Sequence, residues 1–168
     1  FIKKSVKIFG SSTITITIEA LKIEGKYKVY TDTGRTDTNI DVFEWIKEAQ
    51  DMGIGEIILT SINNEGIGKG FDLNLYEKAS KLCNISLLAH GGARNLDDVY
   101  RLFINSDVDG AVIASAFHFN YYKELLKRKE ISLQGSTNFL IDKDYKKMFF
   151  FEIQELKKYL KSKNINIR

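Results

Sequence analysis

The side chains that could do chemistry gather in four places. Glu19 ends a strictly alternating run, Thr13-Ile-Thr-Ile-Thr-Ile-Glu19; Thr60 and then Glu65-Gly66 follow the apolar Ile57-Ile-Leu59. His90-Gly91-Gly92 follows Ser86-Leu-Leu-Ala89, and Ala114-Ser115 closes Gly110-Ala-Val-Ile113. A carboxyl partly withdrawn from water at a strand end has its pKa raised by desolvation and becomes a usable general acid or base, so Glu19 is a candidate for that work. Paired glycines let a ligand approach the backbone. A helix that starts just beyond them offers unpaired N–H groups and a positive dipole end. Glu65, Gly66, Gly91, Gly92, Ala114 and Ser115 are therefore candidate phosphate contacts, with Thr60 a candidate substrate contact delivered by the same kind of strand. Against these readings stand plainer ones: a solvated loop carboxylate at Glu19, and three tight turns at the glycines.

Other reactive types carry less. His90 and His118 have no metal-type spacing to each other or to acidic residues, so no metal site is read and no cofactor is called for. Cys83 is the single cysteine, in Lys81-Leu-Cys-Asn84 with no second thiol nearby. It reads as a buried or half-buried structural thiol in a reducing compartment, the cytoplasm.

The elements that must position these groups follow from periodicity. Thr13–Glu19 alternates with period two and is expected to be a strand, isoleucines toward helices and threonines with Glu19 toward a polar side. Tyr27–Thr31 makes a hairpin with it across Glu24-Gly25, and Asp32–Asn39 reads as a loop. Thr38-Asn-Ile-Asp41 resembles a capping box for a helix carrying Val42, Phe43, Trp45, Ile46 and Ala49, ended by Gly53. Strands over Glu56–Ser61, Ser86–Ala89 and Gly110–Ser115 then alternate with helices capped by Asp72 and Asn95. This alternation predicts a parallel sheet with helical crossovers, functional residues at the strand C-terminal ends. Tyr121–Lys129 is short and basic, Ile131–Asp144 lacks a clear period, and a last amphipathic helix is expected over Ile153 to about Lys163.

Composition bounds the function. With 168 residues, 43% apolar and 28% charged, the chain suits one folded domain, residues 1–168. No apolar run is long enough to span a membrane, and no signal peptide is read. The net charge is +3, but the lysines alternate with acidic residues as on a solvated helix face, so nucleic acid is not the expected partner. The chain starts at Phe1 rather than methionine, which leaves room for residues before it.

Together, Leu59-Thr-Ser-Ile-Asn-Asn-Glu-Gly66, Ala89-His-Gly-Gly-Ala93, Ala114-Ser-Ala-Phe-His-Phe119, Phe9-Gly-Ser11 and Glu155-Leu-Lys-Lys-Tyr-Leu160 resemble the cyclase subunit of imidazole glycerol phosphate synthase. The resemblance implies a TIM-type (β/α)₈ barrel, of which this chain matches about the C-terminal four βα units, with an insertion over residues 120–150. It implies a glutaminase partner at the N-terminal face, ammonia passing through the barrel, and a phosphorylated ribonucleotide substrate closed to imidazole glycerol phosphate and aminoimidazole carboxamide ribotide in histidine biosynthesis. It places Glu19 at a catalytic aspartate, Thr31 at a substrate contact, Glu65, Gly66, Gly92, Ala114 and Ser115 at a phosphate site, and Glu56 at the ammonia entrance. The chain departs from that pattern at Glu19 (aspartate), Asn63 and Glu65 (aspartates), Ile67 (threonine), His90 (serine) and Ser12 (glutamine). These departures favour a second expectation, a paralogue that conducts ammonia or docks a glutaminase for sugar amidination in surface-glycan synthesis. A third is a self-associating half-barrel: if the chain is complete, its open parallel edges are expected to close an eight-stranded barrel as a homodimer.

Overall fold

The computed structural model describes residues 1–128 and 150–167, and these described residues form six strands and six α-helices. Helix α1 (Ile2–Phe9) and a 3₁₀ turn (Ser11–Thr13) precede β1 (Thr15–Ile23), β2 (Lys26–Thr31) and β3 (Thr36–Asp41). Then come α2 (Val42–Asp51), β4 (Glu56–Ser61), α3 (Leu73–Ser80), β5 (Ser86–His90), α4 (Leu96–Asn105), β6 (Gly110–Val112), α5 (Ser115–Arg128) and α6 (Ile153–Ser162). The sheet order is β3-β2-β1-β4-β5-β6: β1, β4, β5 and β6 are parallel, and β2 and β3 add an antiparallel arm. The architecture is that of a partial (β/α) barrel.

One sheet face is buried under helices. Ile18 and Ala20 of β1, Ile57 and Leu59 of β4, and Leu87 and Ala89 of β5 point into a core shared with Val42, Ile46 and Ala49 of α2, Leu75, Tyr76 and Ala79 of α3, and Val99 and Leu102 of α4. Trp45 is half-buried against this core, as expected for a packing residue. Burying each such aliphatic side chain contributes about 1.5–3 kcal/mol, so this face, more than helix propensity, holds the elements in place. The opposite face carries Thr15 and Thr17, both exposed, as a wet polar surface.

Caps fix the helix starts. Asp72 accepts from the Leu75 N–H and Asn95 from the Asp98 N–H, the two caps the sequence predicts, and the Asp98 carboxylate adds the return bond that makes α4's cap a reciprocal capping box. At α2 the expectation changes: Asp41 is itself the cap, accepting from the N–H groups of Phe43 (2.8 Å) and Glu44 (3.2 Å), while the Thr38 hydroxyl donates to the Val29 carbonyl. Thr38 is tied up there because residues 36–41 form a strand, where a loop was expected over Asp32–Asn39. Nearly every side chain of β3 is exposed, so no apolar alternation marks it; backbone pairing to β2 and the Lys28–Asp37 ion pair (3.1 Å) hold it.

Three further expectations shift. Strand β1 starts two residues later and runs four residues further than Thr13–Glu19, because its pairing with β2 spans Glu19 to Ile23. The strand expected over Gly110–Ser115 is confined to Gly110–Val112: the His118 N–H already reaches the Ala114 carbonyl (2.9 Å), and Ser115 opens α5. The edge of β1 is only half open, since β2 lies along its upper part; among the described residues Thr15–Ile18 have no ladder partner on that side. Of the 120–150 segment, 120–128 continue α5 and 129–149 lie outside the described residues.

Candidate active site

The parallel register aligns the chemistry in rows. Glu19 pairs with Thr60, Thr60 with His90, and His90 with Val112, so these side chains leave the same face at the strand C-terminal ends, the face that among the described residues carries no helix. Glu19 is half-buried and accepts a hydrogen bond at Oε2 from the Gly34 N–H (2.9 Å), where the β2–β3 turn folds back over β1. Thr60 is only 4% exposed, and its Oγ1 lies 3.0 Å from His90 Nδ1. The Tyr76 hydroxyl, rising from α3, donates to the His90 carbonyl and fixes the backbone at the end of β5.

The glycine turns stand beside this row. Gly91 and Gly92 are buried, with φ of 101° and 105°. A Cβ on Gly92 would drive into the Gly70 carbonyl oxygen and Asn64 Cβ, and the Gly70 N–H donates to the Gly92 carbonyl (2.8 Å). Asn64 Nδ2 also donates to the Gly70 carbonyl (2.7 Å). The loops after β4 and β5 are thus sewn together, and Gly92 is required by that approach whatever ligand arrives. Gly66 is different: it is exposed, with a positive φ of 72° and open space around its Cα. Glu65 is exposed too, yet its Cα and Cβ sit against Gly91, so the two loops form one rim.

Ala114 and Ser115 are exposed at the start of α5, one strand beyond His90. The first turn of α5 carries no acidic residue, whereas that of α4 holds Asp97 and Asp98, and Asp98 already fills its own N-terminus by accepting from the Arg94 (3.0 Å) and Asn95 (3.1 Å) N–H groups. Among the described residues, α5 is the one of these two neighbouring helix starts with no acidic side chain of its own against it. Thr31 ends β2, exposed, one residue past the Tyr30 that pairs with Glu19.

Glu56 sits at the other end of the same face. Its carboxylate accepts from Thr15 Oγ1 (3.0 Å) and Ser86 Oγ (3.5 Å), a polar row across β1, β4 and β5 four residues below Thr60, about 13 Å away along the strand. Sequence reasoning missed two contributors. Tyr76 belongs to the buried face of α3 and Gly34 to the β2–β3 turn, and no local signal in the sequence ties either to a strand end. Burial pushes the Cys83 thiol up to about 11, with Asp109 adding to the shift, so it behaves as the structural thiol expected. Among the described residues no helix is long and apolar enough to cross a membrane, and no cluster of three or more His, Cys, Asp or Glu side chains could hold a metal ion.

A mostly parallel βα sheet with its polar side chains and glycine turns collected at the strand C-terminal ends defines a partial barrel of the (β/α) class. The chain belongs to the histidine biosynthesis protein family, which it matches over residues 1–123. It is 36% identical over 138 residues to the imidazole glycerol phosphate synthase subunit HisF of Chlorobaculum parvum, covering 79% of this chain and 55% of that protein. It is 40% identical over 119 residues to the subunit of the same name from Bacillus cereus, covering 70% of this chain and 47% of that protein. The chain spans about half the length of the curated relatives it matches.

Proposed function

We propose that the chain supplies the C-terminal four βα units of an imidazole glycerol phosphate synthase cyclase, acting in the cytoplasm with a glutaminase partner. Ammonia from the partner enters at the Thr15–Glu56–Ser86 end, and a phosphorylated ribonucleotide is held at the opposite end. One observation carries the reading. Glu19, Thr60 and His90 share a row on the helix-free face, beside the Gly91-Gly92 rim and the open start of α5. Glu19 acts there as acid or base. Thr60 and Thr31 contact the substrate. Gly66, Gly91, Gly92, Ala114 and Ser115 offer backbone and hydroxyl donors to one phosphate, with Glu65 on the rim above. The products are imidazole glycerol phosphate and aminoimidazole carboxamide ribotide.

The test uses the full-length protein purified with its glutaminase and supplied with the ribulosyl aminoimidazole ribonucleotide. Turnover is expected, and Glu19→Gln lowers kcat by about 10²–10⁴-fold, the usual worth of a general acid or base. Absence of both turnover and substrate binding would remove the cyclase reading. The conduit reading has one observation of its own: the Thr15–Glu56–Ser86 row is formed independently of whatever acid stands at Glu19. It predicts a protein that stimulates its glutaminase while leaving the ribonucleotide unchanged.

A further inference from the structure

The register sets a second titratable side chain level with Glu19. Adjacent strands lie about 4.8 Å apart, so the Glu19 and His90 backbones stand about 10 Å apart with Thr60 between them. Each titratable group is oriented through one atom. Glu19 uses Oε2, held by the Gly34 N–H, and His90 uses Nδ1, held by Thr60 Oγ1. Among the described residues the second atom of each, Oε1 and Nε2, has no hydrogen-bond partner. With Nδ1–H donating to the Thr60 hydroxyl oxygen, that bond stands whether Nε2 carries a proton or not. The ring can therefore pass through a proton cycle without turning, and Nε2 is the atom that exchanges the proton.

We propose that His90 is a catalytic residue, the proton-transfer partner of Glu19 within this chain. The proposal rests on the cyclase reading above. The imidazolium Nε2–H gives its proton to a ligand oxygen as that oxygen departs. The Glu19 carboxylate takes one from the nitrogen that has attacked. One proton enters the ligand and one leaves it, no oxidant or further co-reactant is involved, and exchange with solvent resets both groups. The titratable neighbours that bear on the ring are Glu19 on β1, Glu65 on the loop after β4, and the Tyr76 phenol of α3; β4 presents only the Thr60 hydroxyl beside it, and β6 only the uncharged Val112.

The test is the pH dependence of turnover by the full-length protein, at a fixed concentration of free ammonia with the ribulosyl aminoimidazole ribonucleotide. Glu19 must be ionised and His90 protonated, so kcat/KM should be bell-shaped, falling on the acid side through Glu19 and on the alkaline side through His90. His90→Gln should lower kcat by about 10²-fold or more and abolish the alkaline limb. Glu19→Gln should abolish the acid limb. Thr60→Val, which keeps His90 but frees its ring, should lower kcat, and Thr60→Ser should restore it. An alkaline limb that survives in His90→Gln would overturn the proposal and leave the cyclase reading standing. If that variant does not fold, a Thr60→Val enzyme with the wild-type kcat would overturn it equally. A wild-type protein with no turnover would overturn both.

Discussion

Tyr76→Phe isolates the contact that joins the core to the site. Tyr76 is fully buried, and its hydroxyl bonds the His90 carbonyl and lies 3.3 Å from the Leu59 carbonyl, at the ends of two neighbouring strands. The substitution keeps the ring and its edge-on contact with Phe71 (centroids 5.9 Å apart), so little volume is lost. What is lost is the hydroxyl's bonding to the His90 and Leu59 carbonyls, which are left beside an apolar edge. That costs about 1–3 kcal/mol. For a chain of this size each kcal/mol moves Tm by about 2–4 °C, so Tm should fall by about 2–12 °C in calorimetry. Hydrogen exchange should speed up at Gly91 and Gly92 before it does in α2. Alkali adds a second signature. Burial raises the Tyr76 phenol well above its ordinary value of 10.0, so folding favours the neutral phenol. That contribution is fully present below pH 10 and is lost as pH rises and the unfolded chain ionises. Tyr27, raised by burial and by its bonds to Asp72, acts in the same direction. Wild-type stability should therefore fall above pH 10, and Tyr76→Phe should fall less steeply. A Tm within about 1 °C of wild type and an unchanged alkaline slope would mean that the His90 carbonyl is satisfied elsewhere.

Other substitutions sort by the same accounting. Ser61 is 1% exposed and its hydroxyl has no partner among the described residues, so Ser61→Ala should leave Tm unchanged or raise it; a fall of several degrees would reveal an unseen partner. Gly92→Ala meets both a positive φ and the Gly70 carbonyl and should cost about 2–6 kcal/mol in urea unfolding, whereas Gly66→Ala meets open space and should cost about 1 kcal/mol. Asp98→Ala removes the acceptor of two backbone N–H groups and should cost about 1–3 kcal/mol, read from the urea midpoint. Cys83 should resist iodoacetamide in the native protein at pH 7.5, because a thiol raised to about 11 holds almost no thiolate there; rapid stoichiometric labelling would contradict its burial.

The fold was legible where apolar spacing decides structure. Period two at Thr15–Glu19, the apolar Ile57-Ile-Leu59 and Ser86–Ala89, and the caps at Asp72 and Asn95 all matched the observed elements, because burial and capping act within a few residues. Strand β3 was not legible: Thr36-Asp-Thr-Asn-Ile-Asp41 buries almost nothing, and only pairing with β2 makes it a strand. The strand ends and glycine turns were readable in the sequence, but the contacts among them were not. Bonds from Gly34 to Glu19 and from Tyr76 to His90 join residues 15 and 14 positions apart, and they exist only once helix and hairpin have docked.

The three rows of the helix-free face divide its labour by chemistry. The lowest, Thr15–Glu56–Ser86, is polar and anionic; the highest, Glu19–Thr60–His90, is titratable. Between them run Thr17, Ile58, Leu88 and Gly110, where the Leu88 side chain lies over the glycine. Ile58 and Leu88 offer a cation no acceptor, so desolvating ammonium there would cost several kcal/mol, while neutral ammonia crosses at far less. On the proposed function, the lowest row is then where a proton must be shed, and Glu56, already bonded on both oxygens, is placed to hold the ammonium until it is. Glu56→Gln should accordingly raise the KM for ammonium while leaving that for the ribonucleotide unchanged. An equal rise in both would mean that Glu56 only holds the three strands together.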